Sequence, residues 1–283
     1  MLPGSHHSPV LKVPTLPIAH LFCISMGSWV VFSVVCALFG TVYHGHGAFV
    51  WSFVGIGYLI SVAKMARERP FSYSGLFCFL ALAASTLVGL LTYNFVLGQY
   101  WDAHELEVRT NVLPSEDAAA YMNTGQIIFA DEARLDWSRA LGYKSYDVYC
   151  VVPVTDDTLE KVQFWAAGIN CCAARGTFTC DDAWNPKAKA GMVLRNVSHA
   201  NPPLHLEYAE AVKQAEAAFD LASTEDPVFV RWVADPEQVE TNLGRTGFAI
   251  LAIASAVFLV IGWIQVLLIF ELRKGVVSGR DRG

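Results

Sequence analysis

Four long apolar runs, 18–43, 48–66, 75–97 and 247–270, carry no charged side chain near their centres. A chain built this way has few folds open to it. Crossing the hydrocarbon core takes about 20 mostly apolar residues in a helix, and in lipid only helices and closed barrels satisfy the backbone internally. Helices buried in a water-soluble core usually keep one polar face, and these runs keep none. They are therefore read as transmembrane helices one to four, with the lipid bilayer as the first partner. Lys64 falls at the end of the second, where its ammonium can reach the interface.

The charged residues are distributed in keeping with that reading. Of the 26 Asp and Glu, all but Glu68, Glu271 and Asp281 lie between Gln99 and Arg245, so this segment is acidic and the remainder basic. Short basic segments stay cytoplasmic. The connection after the second span holds Lys64, Arg67 and Arg69, and the tail 271–283 holds Arg273, Lys274, Arg280 and Arg282. The connection His44-Gly45-His46-Gly47 holds no Lys or Arg. Both termini are thus expected in the cytoplasm. Segment 1–17 is a cytoplasmic N-terminus, and the first span is a retained signal-anchor because 1–17 lacks the layout of a cleaved signal peptide. Segment 98–246 faces a lumen or the outside. Its four cysteines, Cys150, Cys171, Cys172 and Cys180, then lie where disulfides form, and Asn196-Val197-Ser198 becomes a glycosylation acceptor. The chain is expected in the secretory pathway or plasma membrane.

Apolar helices gain nothing from hydrophobic contact inside lipid, so small residues that let backbones approach mark the packing seams. Ala81, Ser85 and Gly89 form such a stripe on the third span, and Gly57 with Ser61 a second on the second span. Cys36 with Gly40, and Ala252 with Ala256, offer pairs on the first and fourth. Cys23 and Cys78 lie near the cytoplasmic ends of the first and third spans, where S-palmitoylation occurs.

Segment 98–246 reads as a compact α+β domain of roughly 150 residues, large enough for its own core. Third-span helix continues to Glu107. Ser115 caps a helix that ends at Gly125, and a strand follows over 126–130. Asp147 to Val154 and Val162 to Cys171 form a hairpin, with Pro153 placing the first strand at an edge. Residues 191–195 form a short strand. A helix runs from Leu204 to Ala222 with the stripe Leu206, Ala209, Val212, Ala215 and Phe219. The strand 228–233 and a last helix capped at Asp235-Pro236-Glu237 complete it.

A bond between the neighbours Cys171 and Cys172 would close a strained ring. Cys150 therefore pairs with either neighbour and Cys180 with the other. A zinc site would need thiolates in an oxidising compartment and lacks a Cys-x-x-Cys spacing. The acidic doublets, Asp181-Asp182 among them, read as a solvated face. A Gly-rich phosphate loop, a Ser-His-Asp set and a zinc-protease motif are all missing. The expectation is a non-enzyme without metal or cofactor, and an acidic domain is no partner for nucleic acid.

Four spans, cytoplasmic ends and a large loop with a Cys-Cys pair between spans three and four resemble the tetraspanins. Cys171-Cys172 matches the first two residues of their Cys-Cys-Gly signature, with Cys150 and Cys180 as further loop cysteines. The chain departs from that pattern at Ala173, in its short first outer loop and in a large loop that reads as α+β, where theirs is helical. The resemblance implies a lateral organiser of other membrane proteins, palmitoylated inside and glycosylated outside. The expected function is accordingly an ectodomain that binds or organises membrane proteins. The alternative is an accessory or structural subunit of a larger membrane complex, and a homo- or hetero-oligomer fits both.

Overall fold

The computed structural model describes residues 18–67, 73–156, 160–195 and 204–280. They divide into two compact units, one being Tyr93–Gly247 and the other the flanking helices. Segment 1–17, the connection 68–72 and Asn196 lie outside the described residues.

The flanking unit contains α1 (Ile18–Thr41), α2 (Tyr43–Arg67), α3 (Tyr73–Thr92) and, from Phe248 onward, the C-terminal helix Pro236–Arg280. Each is long and apolar enough to cross a membrane. The small-residue stripe of α3 is a packing seam. Ala81 and Ser85 are fully buried, and a Cβ on Gly89 would lie 2.7 Å from the Phe39 side chain. The Cys36 thiol on α1 faces the Ser85 carbonyl at 4.0 Å. On α2, Gly57 leaves room for Leu82, and the buried Ser61 donates its hydroxyl to the Gly57 carbonyl at 2.9 Å.

Two expectations for these helices need correction. The four-residue loop between the first and second spans is replaced by a kink. α2 begins at Tyr43, and His46 alone departs from helical angles (φ −135°, ψ 49°) while its amide still donates to Val42 at 2.9 Å. On the C-terminal helix, Ala252 and Ala256 are exposed, and the contact to α1 runs along a different face. Trp29 Nε1 donates to Ser255 at 3.1 Å, the Ser33 and Ser255 hydroxyls meet at 2.7 Å, and Phe32 stacks on Phe258. Interhelical hydrogen bonds selected that face over the smoother alanine one.

The second unit opens with a π turn, Tyr93–Leu97, and α4 (Gly98–Glu105). Eight strands follow among the described residues: β1 (Glu107–Val112), β2 (Thr124–Phe129), β3 (Arg134–Leu135), β4 (Leu141–Lys144), β5 (Val148–Thr155), β6 (Val162–Ile169), β7 (Ala190–Val193) and β8 (Ser223–Val233). They form one mixed sheet in the order β1-β2-β7-β8-β6-β5-β3, with β4 also on β5. The pairs β1/β2 and β6/β8 are parallel and the others antiparallel.

Side chains alternate across a strand, and both faces of this sheet are apolar. Cys150, Val152 and Val154 of β5 join Phe164, Val230 and Trp232 in one core. Tyr149 and Val151 join Trp165 and Phe229 in the other, under α5 (Leu204–Phe219). The buried stripe of α5 is Tyr208, Ala211, Val212 and Ala215, whereas Leu206 is exposed. Tyr208 sets the helix rotation because its ring packs between Tyr149 and Phe229, with centroids 5.8 and 5.6 Å away.

The helix expected from Ser115 shrinks to a 3-10 turn, Ala118–Tyr121. Glu116 takes the Leu113 amide at 2.9 Å and the Tyr121 hydroxyl, closing the segment by side-chain bonds that compete with helical ones. Nor is β5 an edge. β4 flanks it up to Val151 and β3 from Val154 onward, so Pro153 sits in the gap between them. Only its carbonyl is needed there, and it accepts from the Asp136 amide at 3.0 Å.

Candidate functional site

The four loop cysteines form two disulfides, Cys150–Cys172 and Cys171–Cys180. β5 supplies Cys150, and the vicinal pair follows the end of β6. Between them Asn170 turns the chain in the left-handed region (φ 57°), which asparagine tolerates. Its side chain holds the turn, accepting the Val148 amide at 3.0 Å and donating to Asp147 at 2.8 Å.

What seats the sulfurs is a row across three strands. Gly142 of β4 and Gly168 of β6 both stand opposite Cys150. A Cβ on Gly142 would meet Cys172 Sγ at 2.8 Å, and one on Gly168 would meet Cys171 Sγ at 2.7 Å. Sequence reasoning missed both glycines. The available signal was a glycine inside each strand, which commonly marks close approach by another group. The sulfurs of Cys150, Cys171 and Cys180 lie within 4.8 Å of one another, but a disulfide-bonded sulfur offers no thiolate to a metal.

The clasp positions an aromatic pair. After Cys180, the chain turns through Asp181 to Trp184 and is fastened to β8. Asp181 receives the Arg231 guanidinium through Nε at 3.1 Å and a second nitrogen at 2.5 Å. Asp182 accepts the Ala234 amide at 2.9 Å, and its own amide donates to the Trp232 carbonyl at 3.0 Å. The doublet read as a solvated acidic face is therefore a pair of tethers. Trp184 is left 64% exposed, braced edge-on against Trp137 with ring centroids 3.7 Å apart. Trp137 is itself anchored: Asp136 caps its turn through the Ser138 amide at 3.2 Å and binds Pro153 as described.

Elsewhere, Cys23 is an exposed free thiol, Cys78 a half-buried one and Cys36 a buried one. Asn196 falls outside the described residues. The layout of four apolar helices, with disulfides between the third and fourth, agrees with the resemblance drawn from sequence. Comparison with known proteins found no matching family model, no matching curated protein and no matching solved structure.

Proposed function

We propose that the chain is a non-enzymatic, multi-pass membrane protein whose disulfide-bonded domain docks extracytoplasmic parts of other membrane proteins. The observation that carries this reading is Trp184. Buried aromatic anchors dominate binding energy at protein interfaces, and a rigid side chain loses little entropy when it docks. Trp184 is exposed, held by the Cys171–Cys180 bond, by two aspartate tethers and by Trp137. On this reading both termini are cytoplasmic, Asn196 carries a glycan and Cys23 is the better placed palmitoylation site. Anchoring both partners in one membrane raises their effective concentration, so a modest interface suffices.

Trp184→Ala is expected to weaken docking by about 2 kcal/mol or more, roughly thirtyfold. Quantitative crosslinking in intact membranes should lose a reproducible set of neighbours in this variant and retain them in Trp184→Phe and in Tyr146→Ala, which removes a 94% exposed ring from the turn between β4 and β5. An unchanged set of neighbours in Trp184→Ala would refute the reading.

A second reading, an accessory subunit of a larger complex, draws support from the C-terminal helix. No residue of its most apolar 18-residue stretch is buried, which leaves a long face for a partner helix. Neighbours recovered at one fixed stoichiometry would favour the subunit, and a variable set the organiser.

A further inference from the structure

The sheet domain also holds a cavity of about 140 Å³, bounded by α4 with its preceding π turn, by the end of β7, by α5 and by β8. Part of its wall is apolar, formed by Met192, Val193, Leu194 and Phe229. Much of the rest is polar, with Tyr208, Gln99, Arg195 and Arg231 offering donors and with the carboxylate of Asp102, which is engaged by Arg195.

Tyr208 is 4% exposed, and its hydroxyl has no hydrogen-bond partner among the described residues. That hydroxyl is not sealed in protein either, since Thr86 holds the one enclosed, unbonded side-chain oxygen among them. Tyr208 lines this cavity, and we infer that the hydroxyl opens there. Burial, with Tyr149 and Asp181 nearby, pushes the phenol well above its ordinary pKa, so it stays a donor.

Gln99 adds a second donor by elimination. An arginine has no acceptor, so the bond from Arg231 at 3.3 Å fixes the Gln99 oxygen toward it and leaves the amide nitrogen free to turn to the cavity. Arg195 is a third. It reaches Asp102 through one nitrogen only, at 3.4 Å, and lines the same space as His205. Arg231 is different, because Asp181 occupies it twice and holds it charged as a wall element.

We propose that this cavity binds a small amphiphilic anion, a phosphate or carboxylate head with a short apolar body. The acceptor-rich head would meet Tyr208, Gln99 and Arg195, and the body would lie against Met192 and Phe229. A soluble metabolite and the head region of an anionic lipid share this chemistry.

The test uses the full chain in nanodiscs of neutral lipid, titrated with octyl phosphate and followed by thermal unfolding. A saturable rise in transition temperature is expected, with inorganic phosphate weaker because it lacks the apolar body. Tyr208→Phe keeps the ring that the core needs and removes only an unpartnered hydroxyl. It should fold as well as the parent and lower the octyl phosphate affinity about tenfold, as a hydrogen bond to a charged group is worth. Arg195→Gln should lower it at least as much. If nanodiscs containing phosphatidic acid raise the transition by themselves and abolish the response to octyl phosphate, the source is lipid. No saturable response in either arm, or equal responses in the parent and both variants, overturns the proposal.

Discussion

Gly168→Val is expected to leave Cys171 and Cys180 as free thiols while Cys150–Cys172 still closes. The glycine has no room for a side chain, since even a Cβ would lie 2.7 Å from both Cys171 Sγ and Cys180 Cβ. Valine adds two further carbons at that point. Overpacking a core costs about 1–3 kcal/mol, and losing a disulfide of this loop length about 3 kcal/mol more. The domain would lose about 4 kcal/mol or more in all, enough to consume much of the stability of a typical domain. Peptide mapping without reduction reads the thiols directly, and thermal unfolding reads the loss. Gly142→Val should do the converse, sparing Cys171–Cys180 and opening Cys150–Cys172. Two intact disulfides in both variants would refute the seating argument.

The second large effect lies in the helical unit. Gly89→Leu should part α1 from α3, because its first side-chain carbon would fall 2.7 Å from Phe39 Cβ, Cγ and Cδ2 at once. Phe39 is fully buried, so its ring cannot give way without displacing its neighbours in the bundle. A cost of about 3 kcal/mol is expected by denaturation in mild detergent. Adding Phe39→Ala removes the obstructing ring, so the double variant should be less destabilised than the sum of the two single ones. Strict additivity would place the fault somewhere other than this contact.

How far the sequence alone reached varies with the kind of interaction. The four long apolar helices were legible because length and composition are imposed on every residue of a helix apolar enough to cross a membrane. The β5/β6 hairpin and the α+β character followed from alternation and turn residues. Small-residue stripes were legible where only shape mattered, as at Ala81, Ser85 and Gly89. They misled at Ala252 and Ala256, where hydrogen bonds from Trp29 and Ser33 outweighed smoothness. The rotation of α5 was misread because Tyr208 was left out of the apolar stripe, although its ring carries more buried area than Leu206. The helix expected from Ser115 failed for a related reason, since Glu116 bonds locally and competes with the backbone. Four cysteines could be recognised as a framework, but their pairing depends on Gly142 and Gly168, which are distant in sequence and silent in composition. Trp184 and Trp137 were invisible as a pair, because 46 intervening positions separate what the fold brings to a centroid distance of 3.7 Å.

The glycine row has a consequence for how the chain matures. Cys171 and Cys172 are neighbours, so joining Cys150 to one or the other closes loops that differ by a single residue, and loop entropy hardly distinguishes them. The choice is made by which glycine each sulfur faces, and that exists only once β4, β5 and β6 lie side by side. Oxidation of the denatured chain should therefore yield both isomers in similar amounts, readable by peptide mapping, and native pairing after denatured oxidation would argue against it. Inside a cell, the helper such a chain needs is an isomerase that reopens wrong bonds, since an oxidase alone would trap half of the molecules in the wrong form.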